Sequence, residues 1–235
     1  MMYIKAKNSP MILIPAGEFM MGCNDQVDKK CQGNEKPYHK VYLDAYLIDK
    51  FDVTQADYNE CVDSKTCKAN KKEKGLTDNR QPVVNVRWAE ANTYCQWAGK
   101  RLPTEAEWEK AARGTDGRVY PWGGGANNID ISKTNFAASN IGTTTPVGNY
   151  PSGASPDGVM DIAGNVWQWL ADWYDKNYYH SSADRNPKGP ESGKSRVLRG
   201  GSWYDEASSL RTSYRFDAAP DRADNIIGFR CARTP

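Results

Sequence analysis

An α+β fold with two or three helices, small twisted antiparallel sheets and much ordered irregular loop is what the 235-residue sequence predicts. Three observations carry the prediction. Helix-start signatures occur only in the first half of the chain. Short runs of interleaved β-branched and aromatic residues lie near the N-terminus. From Gly114 onward, Gly, Asn, Asp, Ser and Pro are scattered among isolated aromatics with little helical period. Long loops carrying many of the chain's 8 Trp, 13 Tyr and 5 Phe are expected to be ordered by burying those rings, which bring large area at low entropy cost. No internal repeat or low-complexity linker divides the chain, so one domain is expected over residues 1–235.

Met11 to Met21 reads as a strand, a turn at Pro15-Ala16-Gly17 and a second strand from Glu18. Val41 to Ile48 reads as one strand. Thr54 suits the N-cap of a helix through Tyr58 to about Val62. A helix from about Arg87 to Ala98 places Trp88, Ala91, Cys95 and Ala98 on one face, with Gly99 beyond its end. Thr104-Glu105-Ala106-Glu107 is a capping box, and the helix it opens buries Trp108, Ala111 and Ala112 and stops at Gly114.

Composition excludes several functions. Lys and Arg number 31 against 29 Asp and Glu, a net charge of +2 that makes no case for nucleic acid or an anionic membrane surface. No apolar run approaches a bilayer-spanning length; the longest, Met11 to Ile14, stops at Pro15. Two histidines, His39 and His180, cannot build a three-imidazole zinc or iron site. P-loop, H-E-x-x-H and G-x-S-x-G motifs are absent. The run Gly123-Gly124-Gly125 before Ala126-Asn127-Asn128 reads as a turn, and the five lysines of Lys65 to Lys74 read as a solvated loop.

The six cysteines avoid C-x-x-C spacing. Cys23–Cys31 and Cys61–Cys67 suit local disulfides across polar loops, leaving Cys95–Cys231 to pair over most of the chain. The alternative is six reduced thiols in a cytosolic protein; the even count and the two local pairs favour an oxidising, extracytoplasmic compartment, secreted or surface-displayed. The sequence opens Met1-Met2-Tyr3-Ile4-Lys5 without a signal peptide, so a leader has been removed or export takes another route.

Five motifs then stand in order along the chain: Met11-Ile12-Leu13-Ile14-Pro15-Ala16-Gly17-Glu18-Phe19, Lys100-Arg101-Leu102-Pro103-Thr104-Glu105-Ala106-Glu107-Trp108-Glu109, Tyr120-Pro121-Trp122-Gly123, Asp161 through Trp169, and Arg199-Gly200-Gly201-Ser202-Trp203 with Gly228-Phe229-Arg230. Together they resemble the formylglycine-generating enzyme (sulfatase-modifying factor) superfamily. The resemblance implies that family's variant of the C-type lectin fold, and a disulfide matching Cys95–Cys231. It also implies copper(I) held by two cysteines downstream of Gly-Gly-Ser, but the matching positions hold Asp205 and Leu210, which cannot replace a bis-thiolate site. Calcium is the one metal that the resemblance leaves: one site would use Asp161, Gly164, Val166 and Gln168, the last where the family often has Glu. A second would use Asn135 and Phe136, with a family Asp replaced near Ser139. Equally, these are turn residues satisfied by backbone. No cofactor is required.

The segment 196–233 is similar, in addition, to the variable region of proteins diversified by retroelements on this same fold. Its frame is Arg196 to Trp203, Leu210-Arg211, Tyr214-Arg215, Pro220, Arg222 and Ile227 to Arg230. The filler includes Tyr204, Asp205, Ser208, Ser209, Thr212, Ser213, Phe216, Asp217, Ala218, Asp221, Ala223, Asp224 and Asn225, a mixture without periodicity. All are reachable from a template Asn codon by change at adenines; Glu206 is not. Tyr, Ser, Asp and Asn are also what antibody paratopes favour. The reading is therefore a non-enzymatic binding protein for a protein or cell-surface ligand, with Trp167, Trp169, Trp173, Tyr174, Tyr178 and Tyr179 as an aromatic floor, or half of them simply core. Two rivals stand beside it. One is a family member with altered or lost catalysis, using Asp205, Asp217, Asp221 or Asp224 as base. The other is a copper-free accessory domain that docks peptide at Ser202 and Trp167.

Overall fold

Two strand pairs made from one bent hairpin begin the structure, a computed structural model that describes residues 10–73, 75–76, 78–125 and 128–235. The opening Met1 to Lys5, the Lys74 end of the lysine loop, and Ala126-Asn127 lie outside the described residues. Strands β1 (Met11–Ile14) and β2 (Gly17–Met21) are separated at Pro15-Ala16, as the turn residues predict. The run 41–48 is not one strand. It divides into β3 (His39–Leu43) and β4 (Tyr46–Asp49), because Asn186 Oδ1 takes the Asp44 N–H at 2.9 Å and its amide in turn holds the Asp44 carboxylate at 2.7 Å. β2 pairs with β3 from Gly17↔Leu43 to Met21↔His39, and β1 pairs with β4 from Met11↔Asp49 to Ile14↔Tyr46.

Three helices follow. α1 (Gln55–Asp63) and α3 (Glu105–Arg113) each start on a threonine N-cap with a reciprocal capping box, Thr54/Asp57 and Thr104/Glu107. α2 (Trp88–Trp97) has no side-chain oxygen at its Arg87 cap; Glu90 returns to the Arg87 N–H at 2.8 Å. Beyond Gly114 the chain forms short strands and loops, as its texture predicts. A four-stranded sheet runs in the order β7 (Phe216–Ala218), β6 (Arg196–Arg199), β5 (Trp167–Trp173) and β8 (Ile227–Gly228), with only the β5–β8 pair parallel. β9 (Ala232–Arg233) returns to β4, so the end of the chain closes the N-terminal sheet.

One core lies between the N-terminal strands and α3 around Ile14, Val41, Ile48 and Trp108. A second lies between α1, α2 and the four-stranded sheet around Tyr58, Tyr94, Trp169 and Phe229. The disulfides pair Cys23–Cys31, Cys61–Cys67 and Cys95–Cys231, the last pinning α2 to the chain end. Among the described residues no helix is long and apolar enough to cross a membrane.

Candidate functional site

Four arginines of the C-terminal third turn inward and fix the base of the site. Arg199 Nη1 lies 2.9 Å from Glu105 Oε1, and Arg199 Nη2 lies 2.5 Å from Glu109 Oε2. Arg215 grips the same Glu105 with both nitrogens of its fork, at 2.7 and 2.9 Å. Arg211 bonds Glu35 at 2.6 Å and Asp28 at 2.8 Å, while Arg230 reaches Asp52 at 2.9 Å. Burial pushes the Glu105 carboxyl up, but Arg215 and Arg199 outweigh it and hold it below its ordinary range. Fully desolvated, such pairs add little net stability, yet removing one partner strands a charge at a cost of about 3–5 kcal/mol.

On this base the chain makes its turn at Gly200-Gly201. Both glycines have positive φ, and a Cβ on Gly201 would meet Leu210 Cδ1 at 2.8 Å. Ser202 is buried, and its hydroxyl and N–H both donate to Asp205 Oδ2, which also accepts the Trp167 indole N–H at 2.8 Å. Asp205 is thereby a positioning residue whose Oδ2 carries three donors. Leu210 is fully buried beside Tyr120 and Phe136. These two residues fill the positions where copper thiolates were expected by resemblance. All six cysteines of the chain are spent in disulfides, so no thiolate is available to hold cuprous ion.

With Asp205 drawn inward, Tyr204 points out and is 70% exposed. It stands edge-on to Trp203, whose indole N–H reaches the Asn225 carbonyl at 3.4 Å. Phe216, 37% exposed, lies against Trp167 with ring centres 5.1 Å apart, and Tyr214 packs on the same indole at 6.1 Å. Asp221 and Ala223 are exposed; Ser208, Ser209, Asp217, Asp224 and Asn225 are half-buried. Contacts link these residues into one patch, from Tyr204 and Trp203 to Asn225 on one side and through Asp205 and the buried Trp167 to Phe216 on the other.

Three expected face residues do not belong to it. Thr212 is buried with its hydroxyl on the Arg118 carbonyl at 2.7 Å, Ser213 is buried against Glu35 Oε2 at 3.1 Å, and Ala218 lies in the second core. Each is consumed by the inward frame. The aromatic floor also contracts to one ring. Trp167 touches the patch, whereas Trp169 donates to the Val86 carbonyl inside the core, Trp173 stacks on Arg196, and Tyr174 and Tyr179 flank Arg215. Tyr178 packs against the first core. Conversely, Trp203 and Tyr214, assigned to the frame from sequence, contribute to the patch. Tyr214 and Phe216 are two residues apart leading into β7, a spacing that puts both on one side of a strand.

Most of the residues expected to hold calcium also form hydrogen bonds within the chain. Gln168 Oε1 accepts from the Trp108 indole at 2.7 Å and from Arg230 Nε at 2.8 Å, and its amide donates to the Asp161 carbonyl at 2.9 Å. Asp161 has positive φ, its Oδ2 takes the Gly148 N–H at 2.7 Å, and burial pushes its carboxyl up to about 6. The Gly164 carbonyl accepts the Val166 N–H at 2.9 Å. Asn135 keeps one buried oxygen, Oδ1, without a hydrogen-bond partner, but the nearby Ser139 hydroxyl closes a turn on Phe136 N and the Thr134 carbonyl. The side chains at these positions offer one carboxylate, an arginine-bound carboxamide and one amide oxygen without a partner, so a calcium ion held here would draw its remaining oxygens from backbone carbonyls and water.

A family model described as the sulfatase-modifying factor enzyme 1-like domain matches residues 3–235. The chain belongs to this family. Among relatives, the formylglycine-generating enzyme of Mus musculus is 33% identical over 280 residues, covering 94% of this chain and 74% of that enzyme. The serine/threonine-protein kinase Pkn1 of Chlamydia trachomatis is 40% identical over 245 residues, covering 95% of this chain; this chain spans only 38% of that kinase's length. Of solved structures, PvdO from Pseudomonas aeruginosa superposes with a TM-score of 0.83 at 27% identity, covering 96% of this chain and 94% of PvdO. Treponema denticola variable protein 1 superposes with a TM-score of 0.79, also at 27% identity, covering 96% of this chain and 95% of that protein. The α+β fold of the formylglycine-generating-enzyme type, a C-type lectin-like fold, is thus the one that the sequence motifs imply.

Proposed function

We propose that this member of the sulfatase-modifying factor family is a non-enzymatic recognition protein of the retroelement-diversified kind, which binds a protein or cell-surface ligand through the loop face of residues 204–225. One observation carries the reading: the segment's side chains divide into an arginine and glycine frame that is ion-paired or sterically fixed, and a set of outward residues that take no part in the buried ion pairs. Such a division lets side chains change without disturbing the fold. The occupation of both thiolate positions by Asp205 and Leu210 supports the loss of copper chemistry, and the three donors on Asp205 Oδ2 argue against its use as a general base. We place the protein outside the cytoplasm, supported by the commitment of every cysteine to a disulfide.

The decisive experiment is sequencing of the locus in several isolates. The reading expects a near-copy of the DNA for Arg196 to Arg230 beside a reverse transcriptase gene, with differences at adenines. Isolates should vary at Tyr204, Phe216, Asp217 and Asp221 while keeping Thr212, Ser213 and Ala218. Invariance across 204–225 with no near-copy would return the chain to the second reading, a family member with altered or lost catalysis.

A further inference from the structure

A cavity of about 430 Å³ opens between the turn that joins β3 to β4, the helices α2 and α3, and the loop around Asn186. That volume lies within the roughly 300–1,000 Å³ of small-ligand sites. The cavity shares no residue with the loop face of 204–225, so it stands apart from the binding role proposed there. Leu43, Tyr46, Leu102 and Pro187 line it with apolar surface, and all four are buried, so packing fixes the wall before any ligand arrives. Its two acids are already matched. Glu107 takes both nitrogens of the Arg101 fork at 2.6 Å and the Thr104 N–H at 2.9 Å. Asp44 takes the Arg185 guanidinium and, at 2.7 Å, the Asn186 amide. The lining groups left over are chiefly donors. Among the described residues the exposed Lys188 ammonium forms no ion pair, and the Asn92 carboxamide makes no hydrogen bond. The Thr104 hydroxyl accepts the Glu107 N–H at 3.2 Å but donates to no described residue. With both acids paired, Lys188 gives the lining an uncompensated positive charge.

We infer that this cavity binds a small organic carboxylate with an apolar body. The carboxylate meets Lys188 and the donors of Thr104 and Asn92, and the body lies against Leu43, Tyr46, Leu102 and Pro187. A neutral apolar molecule would cover those donors without satisfying them, and an inorganic anion would leave the apolar wall wet. A cation would meet the uncompensated charge of Lys188.

The test is isothermal titration of the full chain with phenylacetate, phenylpropionate and phenylbutyrate, each beside its neutral amide, up to millimolar concentration. The inference expects at least one acid to bind at least tenfold more tightly than its amide. Lys188→Met should lower that acid's affinity at least tenfold, towards the amide's. Ala45→Trp, which adds a large ring to the cavity lining, should abolish binding, and Tyr204→Ser should leave it unchanged. Equal binding of acid and amide, or indifference to Lys188→Met, would overturn the carboxylate. No binding by any of the acids, or binding that survives Ala45→Trp, would overturn the site. Loss with Tyr204→Ser would move the ligand to the loop face and overturn the site as well. Thermal melts of each variant separate lost binding from lost folding, with Ala171→Leu as the second filling variant should Ala45→Trp melt early.

Discussion

Within one stretch of chain, residues 196–233, two populations of side chains behave oppositely. Arg199, Arg211, Arg215 and Arg230 are almost completely buried and each holds a buried carboxylate, whereas Tyr204, Glu206, Phe216 and Asp221 reach solvent. The frame spends its charges on fixing backbone position, so the face can present side chains that the fold does not need. Stability and the proposed recognition are separated by direction, inward or outward, over a few residues.

The sharpest way to break that separation is to remove a carboxylate that serves two arginines. Glu105→Gln leaves Arg199 and Arg215 under-compensated and is expected to cost about 3–5 kcal/mol in urea unfolding. A cost below about 1 kcal/mol would mean that the buried pairs are not what holds the face in place.

Next comes pH. Burial, reinforced by Glu105, pushes the Asp172 carboxyl up to about 8, with Glu107 adding to the rise and Arg215 opposing it. Its folded value exceeds the unfolded one, so its contribution is fully present below about pH 4 and is lost as pH rises towards 8. Asp172→Asn should therefore gain on the wild type as pH is raised from 5 to 8, by on the order of 2–4 kcal/mol at the upper end. A pH-independent difference would contradict a neutral Asp172.

Chemically similar substitutions on the two sides of the frame should then diverge. Ser213→Ala removes a buried hydrogen bond to Glu35 and should cost about 1–1.5 kcal/mol, with partner binding unchanged. Tyr204→Ser, at an exposed site, should stay within about 0.5 kcal/mol while abolishing partner binding. Equal stability losses would erase the distinction. The smallest expected effect is that of chelation: EDTA should leave the melting temperature of the purified chain unshifted, since Gln168 already gives its oxygen to Trp108 and Arg230.

Much of the fold was legible in sequence because its signals are local. The capping boxes at Thr54 and Thr104, the break at Pro15-Ala16 and the texture change at Gly114 each depend on a few neighbouring residues. The break at Asp44 was not legible, since it is made by Asn186, more than a hundred residues away. α3 shows the same limit more strongly. Its apolar positions mark Trp108, Ala111 and Ala112 as core, but the structure also buries Glu105, Glu109, Lys110 and Arg113. A charged residue is read as exposed until its partner is known: Glu105 and Glu109 meet Arg199 of β6, Glu105 also meets Arg215 just before β7, and Lys110 and Arg113 donate to carbonyls from Pro15 to Gly22. For the same reason Thr212 and Ser213, polar and small, read as face residues although the neighbouring arginines carry them inward. The exposed positions Tyr204 and Phe216 were legible as filler between fixed frame residues; their contact with Trp203 and Trp167 needed the fold.

The claim under all of this is that the family's metal chemistry has been replaced by a binding surface, and a single anaerobic titration followed by oxygenation tests it. Purified chain is mixed with cuprous ion in the presence of a competing chelator, a cysteine-containing peptide is added with oxygen, and the peptide is read by mass spectrometry. The account predicts that the chelator keeps the copper and that the peptide leaves without an aldehyde. Tight copper uptake with conversion of the peptide's cysteine to formylglycine would contradict it.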